Sequence, residues 1–447
     1  MDKQWELLTL KEVCARGGGD IQTGPFGSQL HAEDYVKDGI PSVMPQNIGD
    51  NRIIEDGIAR ISSEDAQRLS RYLLREGDVV YSRRGDIERR ALVRSYEDGW
   101  LCGTGCLRVR FGNDVVVPEY AAFYLATHDS RKWLKNHAVG ATMPNLNTSI
   151  LGSLPFILPP LPVQRQIADI LSAFDDKIEL NRQMNRTLEQ MARALFKSWF
   201  IDFDPVHAKQ RGEQPEGMDA ETAALFPDRF MEIDGKEVPE GWQIIKFSDI
   251  AIINKATLRK DESLDKIRYV EISAVSKGTI SEIINYSRGE EPSRARRRLS
   301  YGDTVLSTVR PDRKAYFLNL TSDDSLIAST GFAVFSPIRL DEWPFIFSGL
   351  TQDEVFSTLG SLADGGAYPS VNPEMIGNLP LFYPNNSKIL KTFTELCKEL
   401  LDLSEEKRRE AVLLAEIRDL LLPRLLSGEL DVSDWENAVE APEGAPA

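Results

Sequence analysis

Arginine is concentrated in two stretches of this 447-residue chain. Residues 83–94 hold five arginines against two acids, and residues 288–314 hold eight basic residues against four acids. A guanidinium presents five N–H donors in a planar fork, which fits phosphate oxygens and the acceptor edge of guanine. Such clusters are the footprint expected of a nucleic-acid binder, with a solvated face as the plain alternative. The formal net charge of −16 argues against that footprint only until its distribution is considered. Residues 202–240 contribute −7 and residues 428–447 contribute −6, which leaves −3 for the rest. The candidate DNA contacts are Arg83, Arg84 and Arg90 in the first stretch, and Arg294, Arg296, Arg297, Arg310 and Arg313 in the second. Gln29, Asn145 and Tyr368 are further candidates, although turn formation explains those positions equally well.

Other chemistries find little support. Four cysteines suggest no disulfide framework. Cys102 and Cys106 could be half of a metal site, but at an offset of 226 they fall on Ala328 and Phe332, so small buried core residues are the better reading. None of the four histidines has ligand spacing to a cysteine pair. The run GGGDIQTGPFGS (Gly17–Ser28) has no Lys-Ser/Thr after its glycines and so is no phosphate loop. Its glycines suit turns and close backbone approach. No Gly-rich methyl-donor loop follows a strand, and no Asn-Pro-Pro-Tyr run is present. Pro311-Asp312 with Lys314 resembles a nuclease fragment but lacks a following acidic-x-Lys strand. No catalytic residues and no metal ligands are expected. The most apolar stretch, Ile150–Val163, is broken by four prolines and cannot be a membrane helix. With no early apolar run resembling a signal peptide, the expected location is cytoplasmic.

The elements that position the arginines come in two copies. VGATMPNLNTSILGSLPFILP (Val139–Pro159) and DGGAYPSVNPEMIGNLPLFYP (Asp364–Pro384) share Pro, Asn, Gly, Leu-Pro and Pro at a constant offset of 225. GDVVYS (Gly77–Ser82) and GDTVLS (Gly302–Ser307) repeat at the same offset, and Trp5 and Trp242 each open an apolar alternation. Each half therefore reads as a mixed α/β domain of short strands and turns ending at a Pro-rich joint.

A long helix follows each joint. In the first, Ile167, Leu171, Phe174, Ile178, Asn181, Asn185, Leu188, Ala192 and Leu195 follow a 4-3-4-3 spacing. In the second, Phe393, Leu396, Leu400, Leu403, Lys407, Glu410, Leu414, Ile417 and Leu421 follow a 3-4-3-4 spacing. Both are coiled-coil seams with polar centres, at Asn181 and Lys407, and such residues fix register at some expense of stability. A bulky domain ahead of each helix favours antiparallel pairing. The alternative is two amphipathic helices that pack separately on their own domains.

PPLPVQRQIADILSAFDDKIELNRQMNRTLEQMARALFKSWFIDFDP (Pro159–Pro205) closely resembles the central conserved region of the specificity subunit of type I restriction–modification enzymes. VPEGW (Val238–Trp242) resembles the entry to that family's second target-recognition domain, and TGPFGSQL (Thr23–Leu30) resembles a loop of many of its recognition domains. LLLPRLLSGELDV (Leu420–Val432) resembles the end of the second conserved helix.

The resemblance implies an α+β architecture: two mixed α/β target-recognition domains joined by two long helices in an antiparallel coiled coil, with a pseudo-two-fold internal repeat. The first recognition domain is expected over residues 1–160, the first helix over 161–201 and an acidic linker over 202–240. The second recognition domain follows over 241–384, the second helix over 385–427 and an acidic tail over 428–447. It also implies that each domain reads half of a bipartite double-stranded DNA site. The helices would set the spacing and dock two methyltransferase subunits, alongside restriction/translocase subunits. The chain itself is then non-catalytic and holds no cofactor, with S-adenosylmethionine, ATP and Mg²⁺ on its partners. A methyltransferase–specificity fusion enzyme and a helical adaptor without DNA function are the rival classes.

Overall fold

The computed structural model describes residues 5–140, 144–259, 262, 264–363, 366 and 369–430. It divides into two units: residues 1–179 with 411–447, and residues 180–410. Both long helices, Leu161–Phe200 and Ser387–Leu426, are continuous over 40 residues, and the division cuts each of them.

In the first unit a five-stranded sheet runs in the order 18–23, 106–112, 79–82, 90–92, 50–51. A second sheet runs in the order 35–36, 59–61, 40–43, 101–102. Strand Glu6–Thr9 pairs antiparallel with Pro155–Leu158, tying the start of the domain to the strand before the first long helix. The second unit has a sheet in the order 251–253, 332–337, 303–307, 316–319, which reproduces four strands of the five-stranded sheet. Trp242–Lys246 pairs with Pro380–Pro384 as the counterpart of the terminal ribbon. A further sheet, ordered 284–287, 266–270, 326–329, 295–298, repeats strands 59–61, 40–43 and 101–102 of the first unit's second sheet with the same antiparallel and parallel pairings, and differs in its outer strand, 295–298 beside 326–329 in place of 35–36 beside 59–61.

Local chemistry explains the repeated positions. Gly77 and Gly302 sit at φ +83° and +84°, a left-handed conformation that disfavours any side chain, just before the central strands of the matching sheets. Asn147 and Asn372 N-cap short helices, their side-chain oxygens accepting the N–H of Ile150 (2.8 Å) and Glu374 (3.1 Å). The strands 155–158 and 380–384 then lead into the long helices.

Each unit has its own apolar core, to which its segments of both long helices contribute. In the first, Leu10, Tyr81, Leu107, Tyr120 and Phe156 cluster with Ile167, Leu171, Leu422 and Leu425. In the second, Phe196, Phe200, Trp242, Phe335, Phe345 and Phe393 do the same. Within each unit the helix segments run antiparallel. Asp175 pairs with Arg418 in the first, while in the second Asn185 meets Ser404 (3.3 Å) and Ala192 meets Cys397 (3.9 Å).

The seam of the first helix lies inward: Ile167, Leu171, Ile178, Leu188 and Ala192 are buried, while Phe174, Asn185 and Leu195 are half-buried. Asn181 is fully buried. The second helix departs from its expected frame. Leu396 and Leu403 are 42% and 38% exposed, and the buried stripe is Phe393, Cys397, Leu401, Ser404 and Ala411. Leu400, Lys407, Glu410, Leu414, Ile417 and Leu421 are half-buried at its margin. The small inward residues let the backbones approach, and a frame drawn through the largest apolar side chains passes them by.

Residues 202–240 form two short helices, Asp204–Gln210 and Ala220–Leu225, and a hairpin of Phe230–Ile233 with Lys236–Pro239. Phe203, Val206, Phe226 and Val238 enter the core of the second unit, so this acidic segment is folded rather than a plain linker. All four cysteines are free and buried, and burial pushes the Cys14 and Cys102 thiols up to about 12. Among the described residues no cluster of His, Cys, Asp and Glu could hold a metal ion, and no helix is long and apolar enough to cross a membrane.

Candidate nucleic-acid interface

One backbone clasp is built twice, at the constant offset of 225. In the first unit the strand 79–82 runs out into Arg83–Gly85, which lies against the joint. Leu146 N–H donates to Arg83 O (2.9 Å), Gly85 N–H donates to Pro144 O (3.1 Å), and Arg84 and Asn145 form a β-bridge. In the second unit Val371 N–H donates to Thr308 O (2.9 Å), Arg310 N–H donates to Pro369 O (2.8 Å), and Val309 bridges Ser370. The Ser82 hydroxyl donates to Arg84 O (3.0 Å) and the Ser307 hydroxyl to Val309 O (2.8 Å). The repeated Pro and Asn of the joint thus hold the tip of a central strand beside the joint and cap the helix that follows it.

The clasp brings several candidates together. Arg84 is exposed, and Arg83 is half-buried with its guanidinium carbon 5.9 Å from the centre of the Phe26 ring. The Arg83 Nε is buried and has no hydrogen-bond partner. Asn145 lies across the bridge from Arg84. Gln29 is close by but committed to its loop: its side-chain oxygen accepts from Phe26 N–H (3.2 Å) and the Tyr72 hydroxyl (2.9 Å), and its carbonyl accepts from Arg68 (2.8 Å). Its oxygens position the loop, while its side-chain NH2 makes none of these bonds.

In the second unit Arg310 occupies the place of Gly85. Both take the left-handed conformation, at φ +48° and +74°. Arg313 is exposed, in the 3₁₀ turn that follows. Its neighbour Lys314 is anchored to Asp353 (2.9 Å), which also accepts from Arg193 of the first long helix (2.7 Å). Arg294 is exposed on the approach to strand 295–298. Arg296 leans on Glu291 (3.5 Å), and Arg298 is held by Glu262. Arg297 is half-buried with its Nε unpartnered, and burial holds its pKa below the ordinary arginine value. Tyr368 lies outside the described residues.

Arg90 does not belong to this surface. It is 3% exposed, its Nε donates to Ala122 O (2.9 Å), and its head lies 3.5 Å from Asp50. Strand 90–92 lies within the five-stranded sheet with all three residues buried, so the arginine fastens sheet to helix instead of facing a ligand. Two functional features escaped the arginine count. Phe26, within the noted TGPFGS run, is 56% exposed beside Arg83. Asp353, which secures the turn carrying Arg313, is signalled by nothing local in its sequence.

Known proteins resemble the whole chain. A family model described as the type I restriction modification DNA specificity domain matches residues 2–190. The specificity subunit of the type I restriction enzyme HindI from Haemophilus influenzae is 28% identical, over 87% of this chain and 95% of its own length. The MjaIX specificity subunit from Methanocaldococcus jannaschii is 24% identical, over 97% and 95%. The crystal structure of the S subunit of a type I restriction–modification system from M. genitalium shares the fold, with a TM-score of 0.52 at 17% identity over 94% of this chain and 96% of that one. Alongside its doubled clasp beneath exposed arginines, the chain is thus similar to the type I restriction modification DNA specificity domain over residues 2–190, and to specificity subunits of type I restriction enzymes along nearly their full length.

Proposed function

We propose that this chain is the DNA-reading subunit of a type I restriction–modification complex, with each unit's recognition domain reading one half of a bipartite site. The doubled clasp carries this reading. It presents Arg83 and Arg84 in one unit and Arg310 and Arg313 in the other, from equivalent strand tips beside equivalent joints. Two equivalent mounts with different surrounding side chains suit two different half-sites. Exposed arginines supply sequence-independent phosphate contacts and base-edge readout. The two long helices set the spacing between half-sites and dock two methyltransferase subunits, with restriction/translocase subunits joining them. S-adenosylmethionine, ATP and Mg²⁺ are held by those partners, and the complex works in the cytoplasm. The chain itself is non-catalytic: the sequence offers neither a methyl-donor loop nor an Asn-Pro-Pro-Tyr run.

The test is the methylome of a host carrying this chain with its methyltransferase. The expected result is methylated adenine in a single bipartite motif with a fixed gap, absent when this chain is deleted. Methyl transfer by the purified chain alone would favour a fusion enzyme, and the absence of any footprint on DNA would favour an adaptor.

A further inference from the structure

We infer that Phe26 is a DNA wedge: its ring inserts at one base step within the half-site read by the first unit, held there by the Gln29 loop and flanked by Arg83. The inference rests on the DNA-reading function proposed above and adds to it a specific deformation of the duplex.

An exposed phenyl ring on a loose loop would turn inward. Phe26 is 56% exposed on a loop that is fastened on both sides. Its N–H donates to the Gln29 side chain (3.2 Å) and its carbonyl accepts the Gln29 N–H (2.8 Å). Gln29 is itself held by the hydroxyl of buried Tyr72 (2.9 Å) and by Arg68 (2.8 Å). At the loop's base Gly24 packs so closely on the Gly103 carbonyl that no Cβ fits there. The ring is therefore presented outward by a rigid mount.

The chemistry beside it selects the ligand. The guanidinium of Arg83 lies 5.9 Å from the ring centre, Arg84 is exposed next in sequence, and neither makes an ion pair among the described residues. A flat apolar face bordered by uncommitted arginines matches a ligand with π-faces and phosphates at fixed separation. An apolar wedge between base pairs, steadied by cations on the backbone, is an established way to unstack and kink a duplex. The corresponding stretch of the second domain, residues 251–267, contains no aromatic residue, so the deformation belongs to one half-site only.

The experiment uses the complex of this chain with its methyltransferase, without methyl donor, on duplexes carrying 2-aminopurine at successive positions of the methylome-defined site. Extrusion of the methylated base by the partner gives its own signal in both half-sites. The expected result is a further severalfold fluorescence rise at one non-methylated step of one half-site. Phe26→Ala removes that rise and weakens specific binding by roughly ten- to hundredfold, Phe26→Leu retains part of both, and the methylated-base signals at saturating complex and the thermal midpoint of the DNA-free complex are retained. A rise that persists in Phe26→Ala overturns the wedge. So does a Phe26→Ala chain that no longer assembles with the methyltransferase while its own effect on 2-aminopurine duplexes is unchanged, an outcome that would assign the ring to a protein contact. Absence of any site-specific footprint by the wild-type complex would overturn the DNA-reading function itself, and is seen before any variant is made.

Discussion

At the scale of residues, equivalent positions have been put to different uses. Asp78 and Asp303 stand at the same place in the two sheets, and each accepts a backbone N–H three residues upstream, from Arg75 (2.8 Å) and Ser300 (2.7 Å). Asp78 is also forked by Arg110, at 2.8 and 2.6 Å. The counterpart of Arg110 at offset 226 is Ser336, so Asp303 is buried without that cation, and burial raises its pKa to about 6. Its folded pKa exceeds its unfolded value, so the folded state binds the extra proton. Stability of the second unit is therefore greatest below pH 4 as far as this group is concerned, and falls as pH rises from about 4 to about 6, by about 3 kcal/mol in all. Thermal midpoints of wild type and Asp303→Asn across that window check this, since the variant should lose the dependence.

The arginines divide in the same way. Arg84→Ala or Arg313→Ala should lower the slope of log affinity against log salt by about one if the group meets a phosphate, with folding unchanged. Arg90→Ala should instead cost about 2–4 kcal/mol of stability, because it empties a buried site and orphans the Ala122 carbonyl. Arg310 combines both aspects. A left-handed non-glycine residue costs about 1 kcal/mol or more, and the first unit uses glycine at that place. Arg310→Gly should keep stability within about 1 kcal/mol of wild type while weakening DNA binding, as measured by denaturant titration and a binding isotherm. Equal losses in both would show that Arg310 serves the fold alone.

At the scale of elements, the long helices show what a sequence reveals and what it hides. Their existence and length were plain from periodicity, as was the inward side of the first. The joint was legible too, because local backbone geometry demands its Asn caps and Pro, and close neighbouring side chains favour glycine at Gly152 and Gly377. The frame of the second helix was not, because its contact stripe of Cys397, Ser404 and Ala411 is small or polar while larger leucines lie one residue away. The second sheet of the first unit was equally hidden, since strands of two to four residues are fixed by their partners and not by any period. Arg90 was misplaced because composition cannot tell an arginine beside a groove from one beneath a sheet.

Asn181 is the element-scale test. It is fully buried, and neither its side-chain oxygen nor its nitrogen has a hydrogen-bond partner. A buried amide left unsatisfied costs about 1–3 kcal/mol, so Asn181→Leu should stabilise the helix pair by that order. If the amide fixes register, the variant should also populate a slipped pairing, visible as doubled amide resonances around residues 178–188. A destabilised variant would mean that the amide is satisfied in solution.

At the scale of the whole molecule, the two cores decide how the chain can be recombined. Each recognition domain closes on itself through a ribbon, Glu6–Thr9 with Pro155–Leu158 and Trp242–Lys246 with Pro380–Pro384. A cut at residue 155 would split the first ribbon, whereas a cut after Pro159 spares it. Beyond that cut, Gln164 ties the helix to the domain, accepting Val117 N–H (2.9 Å) and donating to Val115 O (3.2 Å) and Pro159 O (2.7 Å). Ile167, Ile170, Leu171 and Leu422 complete the domain's core from the helices. Exchange of residues 1–159 for the matching domain of a relative should therefore fold when the donor preserves the backbone at 115–117 and an apolar face for those four side chains. The core of the second unit draws only on residues 192–401 and is left intact. If each unit reads its half-site independently, the methylome of the hybrid should show one half of the motif replaced, with the other half and the gap unchanged. A hybrid that folds, assembles with the methyltransferase and methylates a motif altered in both halves would show that the two domains read DNA jointly.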